Sequence, residues 1–403
     1  MGIPAEESIR SHLQFLAGTT GPRPTGSPAY RQAAEYIRRT FSDAGLQIQD
    51  IRFPCIDWRH RATRLEIGSS AFTAAANPFS PACDVPGTLL PLCTPAELEA
   101  AEIGGKILLF YGDLSNEPLI PLNCEVYNTE RDQRINRLLV ERKPAAVLSA
   151  NLNWPAADAR IEDADMPIPS ATVDAETALA LLDHAGEEAH LVILAERLPS
   201  EAITLVGSRP GPDRRKLVLM AHYDTKVNTP GAIDNAAGAA ALLCLAGRLA
   251  ERPPAIGLEF IAFGDEEYYA YSDGMYVKQF GEQFADIVLA INFDAVGQRL
   301  GTDTLALMGA SPELQSVIDG ILRRYPQMLW TDPWPQSNHS TFAFRGVPSL
   351  ALISRGSNRL HHQPQDSLRW VSPEKIAAVV ALIEEIIAAV QNCDPAWSRE
   401  KAE

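Results

Sequence analysis

The sequence predicts an α/β fold built on a mostly parallel sheet, with a smaller α+β domain inserted into it. From Ile203 onward, continuous apolar runs alternate with helical patterns, as expected of strands that are buried on both faces and connected by helices. The region 56–196 has a different texture, with clustered prolines and short strands such as KILLFYG and AAVLSA. We therefore predict a discontinuous larger domain, 1–55 with 197–403, around an inserted domain, 56–196.

The elements of the larger domain follow from apolar periodicity and from helix start and stop signals. Glu6 to Leu16 is predicted to be helical, and a second helix from about Tyr30 to Asp43 ends before Gly45. After the insertion, the strand runs are KLVLMAHY, GLEFIAF, IVLAINF, LALMG and VPSLALI, and the helical runs between them include AAGAAALLCLAGRLAE and PELQSVIDGILRRY. The last helix begins at Ser372 and Pro373, a capping serine followed by a proline at the first helical position.

The composition is that of a soluble globular protein, with 46% hydrophobic and 21% charged residues. A net charge of -16, with no cluster of basic residues, argues against binding to nucleic acid. Six scattered cysteines without a C-x-x-C pair favour free thiols in a reducing compartment. The segment MGIPAEESIR does not resemble a secretory signal, and Glu384 and Glu385 interrupt the apolar stretch Ile376 to Val390. We expect a cytoplasmic protein without a membrane span, or a secreted one if a leader was trimmed; no oligomeric state is indicated.

Four of the apolar runs lead into residue types that bind metals. These residues, with one acid from the loop GAIDNAAG, are His222 and Asp224, Asp234, Glu266 and Glu267, Asp294, and His361 and His362. Because sites in open α/β sheets gather at the carboxyl ends of the strands, we expect these side chains to converge. Histidine and carboxylate ligands in this number suit a pair of divalent metals, and the sequence therefore predicts a metallohydrolase.

The number of ligands suggests a division of roles. Two metals about 3.5–4 Å apart can hold a bridging water as hydroxide and polarise the scissile carbonyl of an amide. In this ligand set Asp234 is the acid that bridges the two metals. His222 and Asp294 bind one metal, and Glu267 and His362 bind the other. Two divalent ions, three carboxylates and one hydroxide sum to zero charge, which leaves Glu266 free to act as general base. Asp224 is expected to accept the second ring N–H of His222 and to fix its tautomer.

Each of these residues has a structural explanation when it is taken alone. Asp265-Glu266-Glu267 could be a solvated acidic turn, and Asp224 could be an acid that caps a turn. His222 could be a core histidine, and Asp294 could cap a helix. Only one of His361 and His362 is expected to bind metal. His339, in QSNHSTF, either donates a hydrogen bond to the oxyanion of a tetrahedral intermediate or is a structural histidine. The combination of residues favours the metal site.

These motifs resemble the co-catalytic di-zinc metallopeptidase family 28, which includes aminopeptidase Y, bacterial leucyl-type aminopeptidases and glutamate carboxypeptidase. The resemblance covers about residues 5–50 and 200–392 and rests on AHYDT, GAIDNAAG, the DEE triplet and NFDAVG. HHQPQDS is similar to the family's terminal histidine motif, and its register, with Pro364 and Asp366 in step, selects His362 over His361 as the ligand. GPRPTGS is similar to the family's opening, and the inserted region resembles a protease-associated domain.

The resemblance implies a three-layer α/β/α domain with a mixed, mostly parallel sheet and a zinc-dependent aminopeptidase that acts on peptides. It implies two zinc ions, with cobalt or manganese as substitutes. The implied ligands are His222, Asp234, Glu267, Asp294 and His362, and the implied catalytic residues are Glu266, Asp224 and His339. Three departures from the family pattern, His361, Asn338 and the stretch YYAYSDG, leave the substrate pocket open.

Other activities stay open at this stage. A carboxypeptidase or dipeptidase that acts on acidic peptides would need cations for the substrate carboxylates, and Arg345, Arg355 and Arg359 lie near the terminal histidine motif. Each of these arginines could equally be a surface residue. A glutaminyl cyclase-like enzyme would need only one metal, and an inactive receptor-like homologue would have lost ligands. The complete ligand set argues against both.

Overall fold

The structure of the chain is a computed structural model that describes residues 4–123, 128–152, 159–250, 254–268, 271–356 and 359–400. The chain divides into two compact units. The larger unit consists of Met1–Cys55 and Glu201–Glu403, and the inserted unit is Ile56–Ser200. The sequence places these boundaries at 55/56 and 196/197. The likeness of the inserted unit to a protease-associated domain stays a prediction.

The helices and strands are numbered in chain order. The α-helices are α1 Ala5–Leu13, α2 Pro28–Asp43, α3 Pro95–Ala100, α4 Glu130–Arg142, α5 Ala175–Leu182, α6 Gly238–Ala250, α7 Tyr271–Phe280, α8 Pro312–Leu322, α9 His339–Ala343, α10 Pro373–Val390 and α11 Pro395–Ser398. The strands are β1 Gln47–Ile67, β2 Ser70–Phe72, β3 Ala75–Ala76, β4 Cys83–Leu92, β5 Ile107–Phe110, β6 Ala146–Asn151, β7 Ser170–Asp174, β8 Glu188–Arg209, β9 Lys216–His222, β10 Gly257–Phe263, β11 Ile287–Phe293, β12 Thr302–Met308, β13 Leu329–Trp330 and β14 Ser349–Arg355. Two π-helical segments are Gln14–Thr20 and Ala232–Ala237, and 3₁₀ turns are Gly112–Leu114, Gly281–Asp286 and Leu368–Trp370.

The larger unit is built on a mixed, mostly parallel sheet, which confirms the predicted fold class. Its strands lie in the order β13-β12-β14-β11-β9-β10-β8, with β8 contributing its second half. β14, β11, β9 and β10 run parallel, whereas β12 and β8 are antiparallel to their neighbours β14 and β10. The carboxyl ends of the four parallel strands therefore meet at one edge of the sheet.

Alternating residues of the central strand β9 face two different cores. Leu217, Leu219 and Ala221 belong to a large core with residues of α1, α2, α6 and α10. Val218 and Met220 belong to a second core with aromatic residues of α7 and α9 on the opposite face. Every residue of β9 is buried, as its continuous apolar run predicts. Helices thus cover both faces of the sheet, which is the three-layer α/β/α arrangement.

The helix boundaries follow the capping signals in the sequence. α2 begins at Pro28, two residues before the predicted start, and the Ser27 side chain accepts a hydrogen bond from the Tyr30 amide at 3.1 Å. α10 begins at Pro373, and the Ser372 side chain accepts from the Lys375 amide at 3.3 Å. α1 ends at Leu13, three residues before the predicted end, because the chain continues there as a π-helical segment.

The stretch Ala232–Ala250, which contains α6, is long and apolar enough to cross a membrane, but most of its residues are buried inside the protein. Alanine and glycine dominate it, so the helix packs closely against the sheet. Among the described residues no other helix meets the same length and hydropathy criteria. Burial among the core residues explains its apolar composition.

The inserted unit has its own sheet and cores. β4, β5, β6 and β7 run parallel, the first half of β8 is antiparallel to β4, and β3 is antiparallel to β7. Two separate groups of buried apolar side chains pack on this sheet. The predicted site residues all belong to the larger unit.

Candidate metal centre

The predicted site residues follow the carboxyl ends of the four parallel strands. His222 is the last residue of β9, and Asp294 follows β11 directly. The remaining residues lie in the loops beyond: Glu266 and Glu267 after β10, His361 and His362 after β14, and Asp234 in the π-helical segment before α6. Strands from distant parts of the sequence thus deliver histidines and acids to one edge of the sheet.

The side chains converge on the carboxylate of Asp234. Its Oδ1 lies 3.2 Å from Nε2 of His222, and its Oδ2 lies 3.4 Å from Nε2 of His362. Nδ1 of His361 is farther from Oδ2, at 3.9 Å. The two oxygens of Asp234 therefore face two different histidines, which is the geometry required of a carboxylate shared between two cations.

Each histidine also faces a second acid. Nε2 of His222 is 3.6 Å from Oδ1 of Asp294, and Nε2 of His362 is 3.2 Å from Oε2 of Glu267. Ligand atoms of His222, Asp234 and Glu267 all lie within 4.8 Å of one another. The structure thus brings together two pairs, His222 with Asp294 and His362 with Glu267, on either side of Asp234. The sequence predicts the same grouping.

The chemistry of these side chains fits divalent metal ions. Imidazole nitrogens and carboxylate oxygens are the ligands that zinc accepts most readily. Glu267 Oε1 is buried without a hydrogen-bond partner among the residues that the structure describes. Because an unpaired buried carboxylate oxygen is unfavourable, a cation in this position would stabilise it.

The crowding of buried acids shifts their proton affinities. Burial raises the pKa of Glu266 well above its ordinary value, and the charges of Asp294 and Glu267 raise it further. Burial also raises the pKa of Glu267, together with the charge of Asp234. Desolvation lowers the pKa of His222, but Glu266 and the other nearby acids reverse this and hold it well above its ordinary value. A site that retains protons so strongly is also a site that attracts metal cations.

Asp224 holds several parts of the site with one fully buried carboxylate. Its Oδ1 lies 3.5 Å from Nδ1 of His222, where it can orient the ring as the sequence predicts. Its Oδ2 accepts hydrogen bonds from the backbone amides of Glu266 and Glu267, both at 3.1 Å, and from the Thr25 hydroxyl at 3.3 Å. The second set of contacts was not predicted, because the path of the loop after β10 is not visible in the sequence.

The two adjacent glutamates differ in exposure. The Glu266 side chain is 22% exposed, whereas that of Glu267 is 2% exposed. Alternation along an extended strand does not explain this difference, because β10 ends at Phe263 and both glutamates lie in the turn that follows. Their amides bind Asp224 in common, and the turn directs Glu266 toward solvent and Glu267 toward His362.

Asp366 holds the loop that carries Asp234. Its carboxylate oxygens accept hydrogen bonds from the amides of Ile233 and Asp234, at 2.8 Å and 3.0 Å. Burial raises the pKa of Asp366 to about 7, although these two hydrogen bonds oppose the shift. The sequence signals Asp366 only through its register after His362; its role as a support for the Asp234 loop comes from the structure.

Arg23, from the segment GPRPTGS, is a further residue whose role the sequence did not reveal. It is fully buried, and its guanidinium donates hydrogen bonds to the carbonyls of Tyr223, Pro230 and Gly231 at 2.6, 2.8 and 3.0 Å. Gly231 has φ +57°, and a Cβ there would lie 2.3 Å from Thr225 Cγ2. Arg23 and Gly231 therefore fix the start of the loop that carries Asp234, the candidate ligand shared by both metals.

His339 is the predicted residue that the structure does not bring into the cluster. It is fully buried at the start of α9, and its Nε2 lies 2.6 Å from the carbonyl oxygen of Trp334. Its Nδ1 lies 3.5 Å from the side-chain nitrogen of Asn292. Burial lowers its pKa. Both ring nitrogens thus face protein groups, and donation to an oxyanion would require the Trp334 contact to open; that role stays a prediction.

The fold and the cluster have the features of a metal-dependent hydrolase. In a comparison with known families, residues 203–387 match Peptidase family M28. This match lies within the larger unit and contains all of the proposed metal ligands. The part of the chain that carries the candidate ligands is therefore similar to peptidase family M28.

The chain is also similar to known proteins in sequence and in fold. The chain is 22% identical over 374 residues to the probable lipoprotein aminopeptidase LpqL of Mycobacterium tuberculosis, a match that covers 85% of this chain and 72% of that protein. The fold is similar to that of an aminopeptidase from Aneurinibacillus sp. strain AM-1, with a TM-score of 0.76, 21% identity and coverage of 98% and 94%. It is also similar to BSAP, a zinc aminopeptidase from Bacillus subtilis, with a TM-score of 0.77, 20% identity and coverage of 100% and 99%.

Proposed function

We propose that this chain is an aminopeptidase that binds two zinc ions and removes the N-terminal residue from peptides. The observation that carries the proposal is the position of Asp234, whose two oxygens lie 3.2 Å and 3.4 Å from the histidines of two ligand pairs. The family match and the names of the aminopeptidases described above support the activity.

The residues that would hold the zinc ions are divided by this geometry. His222 and Asp294 would bind one ion, His362 and Glu267 the other, and Asp234 both. When bound, such a pair of ions activates a water molecule and polarises the carbonyl of the peptide bond. Cobalt or manganese would fit the same mixture of nitrogen and oxygen ligands.

Glu266 is the residue that we propose to move the proton. Its side chain is more exposed than that of Glu267, and its Oε2 lies 3.9 Å from Nε2 of His222, so it borders the cluster without being enclosed by it. A carboxylate in this position would take a proton from the attacking water and transfer it to the amine that leaves. Asp224 would keep Glu266 and Glu267 in place through their backbone amides.

The test is a substrate panel that separates exopeptidase classes. Aminoacyl anilides with a free amine are compared with N-blocked dipeptides, each with and without a chelator. We expect turnover of the free-amine substrates only, loss of activity with chelator, and recovery on addition of zinc. Turnover of the blocked set alone would replace the aminopeptidase proposal with a carboxypeptidase. Elemental analysis of the active protein should give two zinc ions per chain.

A further inference from the structure

A cavity of about 460 Å³ lies where β14 ends. Its walls combine two kinds of side chain. Trp334 and Ile353 provide apolar surface, and Arg355 and Arg359 provide positive charge. The volume is in the range of pockets that hold small ligands or single side chains.

The two arginines of this cavity have no partner among the described residues. Neither guanidinium of Arg355 or Arg359 forms a hydrogen bond or an ion pair there, and no carboxylate lines the cavity. Arg345, the third arginine of this region, differs because its guanidinium donates to the Thr341 carbonyl at 2.8 Å and it does not line the cavity. In a chain with a net charge of -16, two adjacent arginines without acidic partners are a local site for an anion.

The cavity and the metal centre share the same edge of the sheet. Arg355 is the last residue of β14, the strand that precedes His362. The Leu352 carbonyl of this strand accepts the amide of Asp294 at 3.0 Å, which ties the strand's end to a candidate ligand. On the other side, the Trp334 carbonyl accepts the hydrogen bond of His339. The cavity and the cluster therefore both lie beyond the carboxyl end of β14.

A carboxylate is the ligand group that this cavity fits. The planar guanidinium groups of Arg355 and Arg359 can bind a carboxylate through paired hydrogen bonds, and the surfaces of Trp334 and Ile353 can contact the methylene groups that carry it. The same charges would repel the ammonium group of a lysine side chain.

We propose that this cavity is a subsite for a substrate carboxylate, so that the enzyme favours acidic peptides. The proposal rests on the aminopeptidase function proposed above and names its substrate class. The carboxylate is either the side chain of an acidic N-terminal residue or the terminal carboxylate of a short peptide, and two arms of one experiment distinguish these sources.

The first arm compares glutamyl and glutaminyl p-nitroanilides, which differ only in the side-chain charge. We expect wild-type kcat/KM to be about tenfold or more higher for the glutamyl substrate, the effect of one charge-assisted contact. In the double variant R355Q/R359Q this ratio should fall to about one. The matched control is R345Q, which removes a nearby exposed arginine and should leave the ratio unchanged.

The second arm compares leucyl-leucine with leucyl-leucinamide, which differ only in the terminal carboxylate. A preference for the free acid that disappears in R355Q/R359Q assigns the subsite to the terminal carboxylate. A preference in either arm that depends on Arg355 and Arg359 supports the proposal. Equal rates within both pairs of substrates, with leucyl anilide still turned over, would overturn the subsite and leave the aminopeptidase function intact.

A binding measurement keeps the proposal testable without turnover. The zinc-loaded protein is titrated calorimetrically with glutamate and with glutamine, and again as R355Q/R359Q. If the wild type binds glutamate more tightly than glutamine and R355Q/R359Q does not, the subsite is supported even when no anilide is hydrolysed. Absence of anilide hydrolysis would reject only the aminopeptidase function. Equal binding of the two amino acids, together with equal rates in both arms above, rejects the subsite.

Discussion

The substitution Arg23→Lys is the sharpest test of how the Asp234 loop is held. Arg23 keeps a positive charge in the interior because its guanidinium is surrounded by backbone carbonyls. These acceptors are Tyr223 at 2.6 Å, Pro230 at 2.8 Å, Gly231 at 3.0 Å, Gly21 at 3.2 Å and Leu16 at 3.3 Å. Burial lowers its pKa to about 10, against the charges of Asp366 and Asp224, so the side chain stays protonated at neutral pH.

The expected loss of stability follows from the donors that lysine lacks. An ammonium group has three donors on one nitrogen, and it cannot span carbonyls arranged around a planar fork. At least two of the five carbonyls would lose their partner. Each hydrogen bond from a charged donor contributes about 1.5–3 kcal/mol, so the free energy of unfolding should fall by about 3–6 kcal/mol. That is a large part of the stability of an ordinary domain.

The measurement is urea unfolding of the zinc-free protein, followed by circular dichroism. Arg345→Lys is the matched control, because Arg345 is exposed and, among the described residues, its guanidinium donates one hydrogen bond, to the Thr341 carbonyl. We expect the control to lie within about 0.5 kcal/mol of wild type. If Arg23→Lys unfolds at the same urea concentration as Arg345→Lys, the reasoning about the buried guanidinium is refuted.

Four further predictions concern the site itself. Glu266→Gln should lower kcat by about 10²–10⁴-fold without changing zinc content, and a wild-type rate would exclude Glu266 as the base. His362→Ala should reduce bound zinc from two equivalents to one, whereas His339→Ala should retain two; elemental analysis decides. Because the pKa of Asp273 is raised from 3.8 to about 6 in the fold, the native state binds more protons than the unfolded state between those values. Wild-type unfolding free energy should therefore decline relative to Asp273→Asn as the pH rises from about 4 to about 6, by about 3 kcal/mol at most, in zinc-free protein. Asn338→Asp should destabilise the fold by about 1–3 kcal/mol by placing two buried acids side by side, and Asp273→Asn in the same chain should restore stability, as a double-mutant cycle would measure.

The fold could be predicted from the sequence because its central strands are unusually clear. KLVLMAH and IVLAINF are continuous apolar runs, and a run of this kind is stable in a sheet covered on both faces. The boundaries were less predictable. The early end of α1 at Leu13 depends on a π-helical segment, and no apolar periodicity distinguishes that from a continued α-helix.

The grouping of the candidate ligands could also be predicted, because strand ends and charge balance depend only on residue order and type. His222 with Asp294 and His362 with Glu267 lie on either side of Asp234 as expected. The supporting residues could not be predicted in the same way. Asp366 and Arg23 act by hydrogen bonds to backbone groups. Because nearly every residue has the same backbone amide and carbonyl, the sequence does not show which residues are their partners.

Two of the three departures from the family pattern meet in space, because Asn338 contacts Asp273 of the stretch YYAYSDG. Asp273, in that stretch, accepts a hydrogen bond from the Asn338 side chain at 2.7 Å and one from the Thr341 hydroxyl at 2.7 Å. These two donors flank His339 at the start of α9. The amide of Asn338 therefore faces a buried carboxylate at Asp273. Because these two side chains bind each other beside the histidine, a substitution at either position should alter the stability that the other contributes.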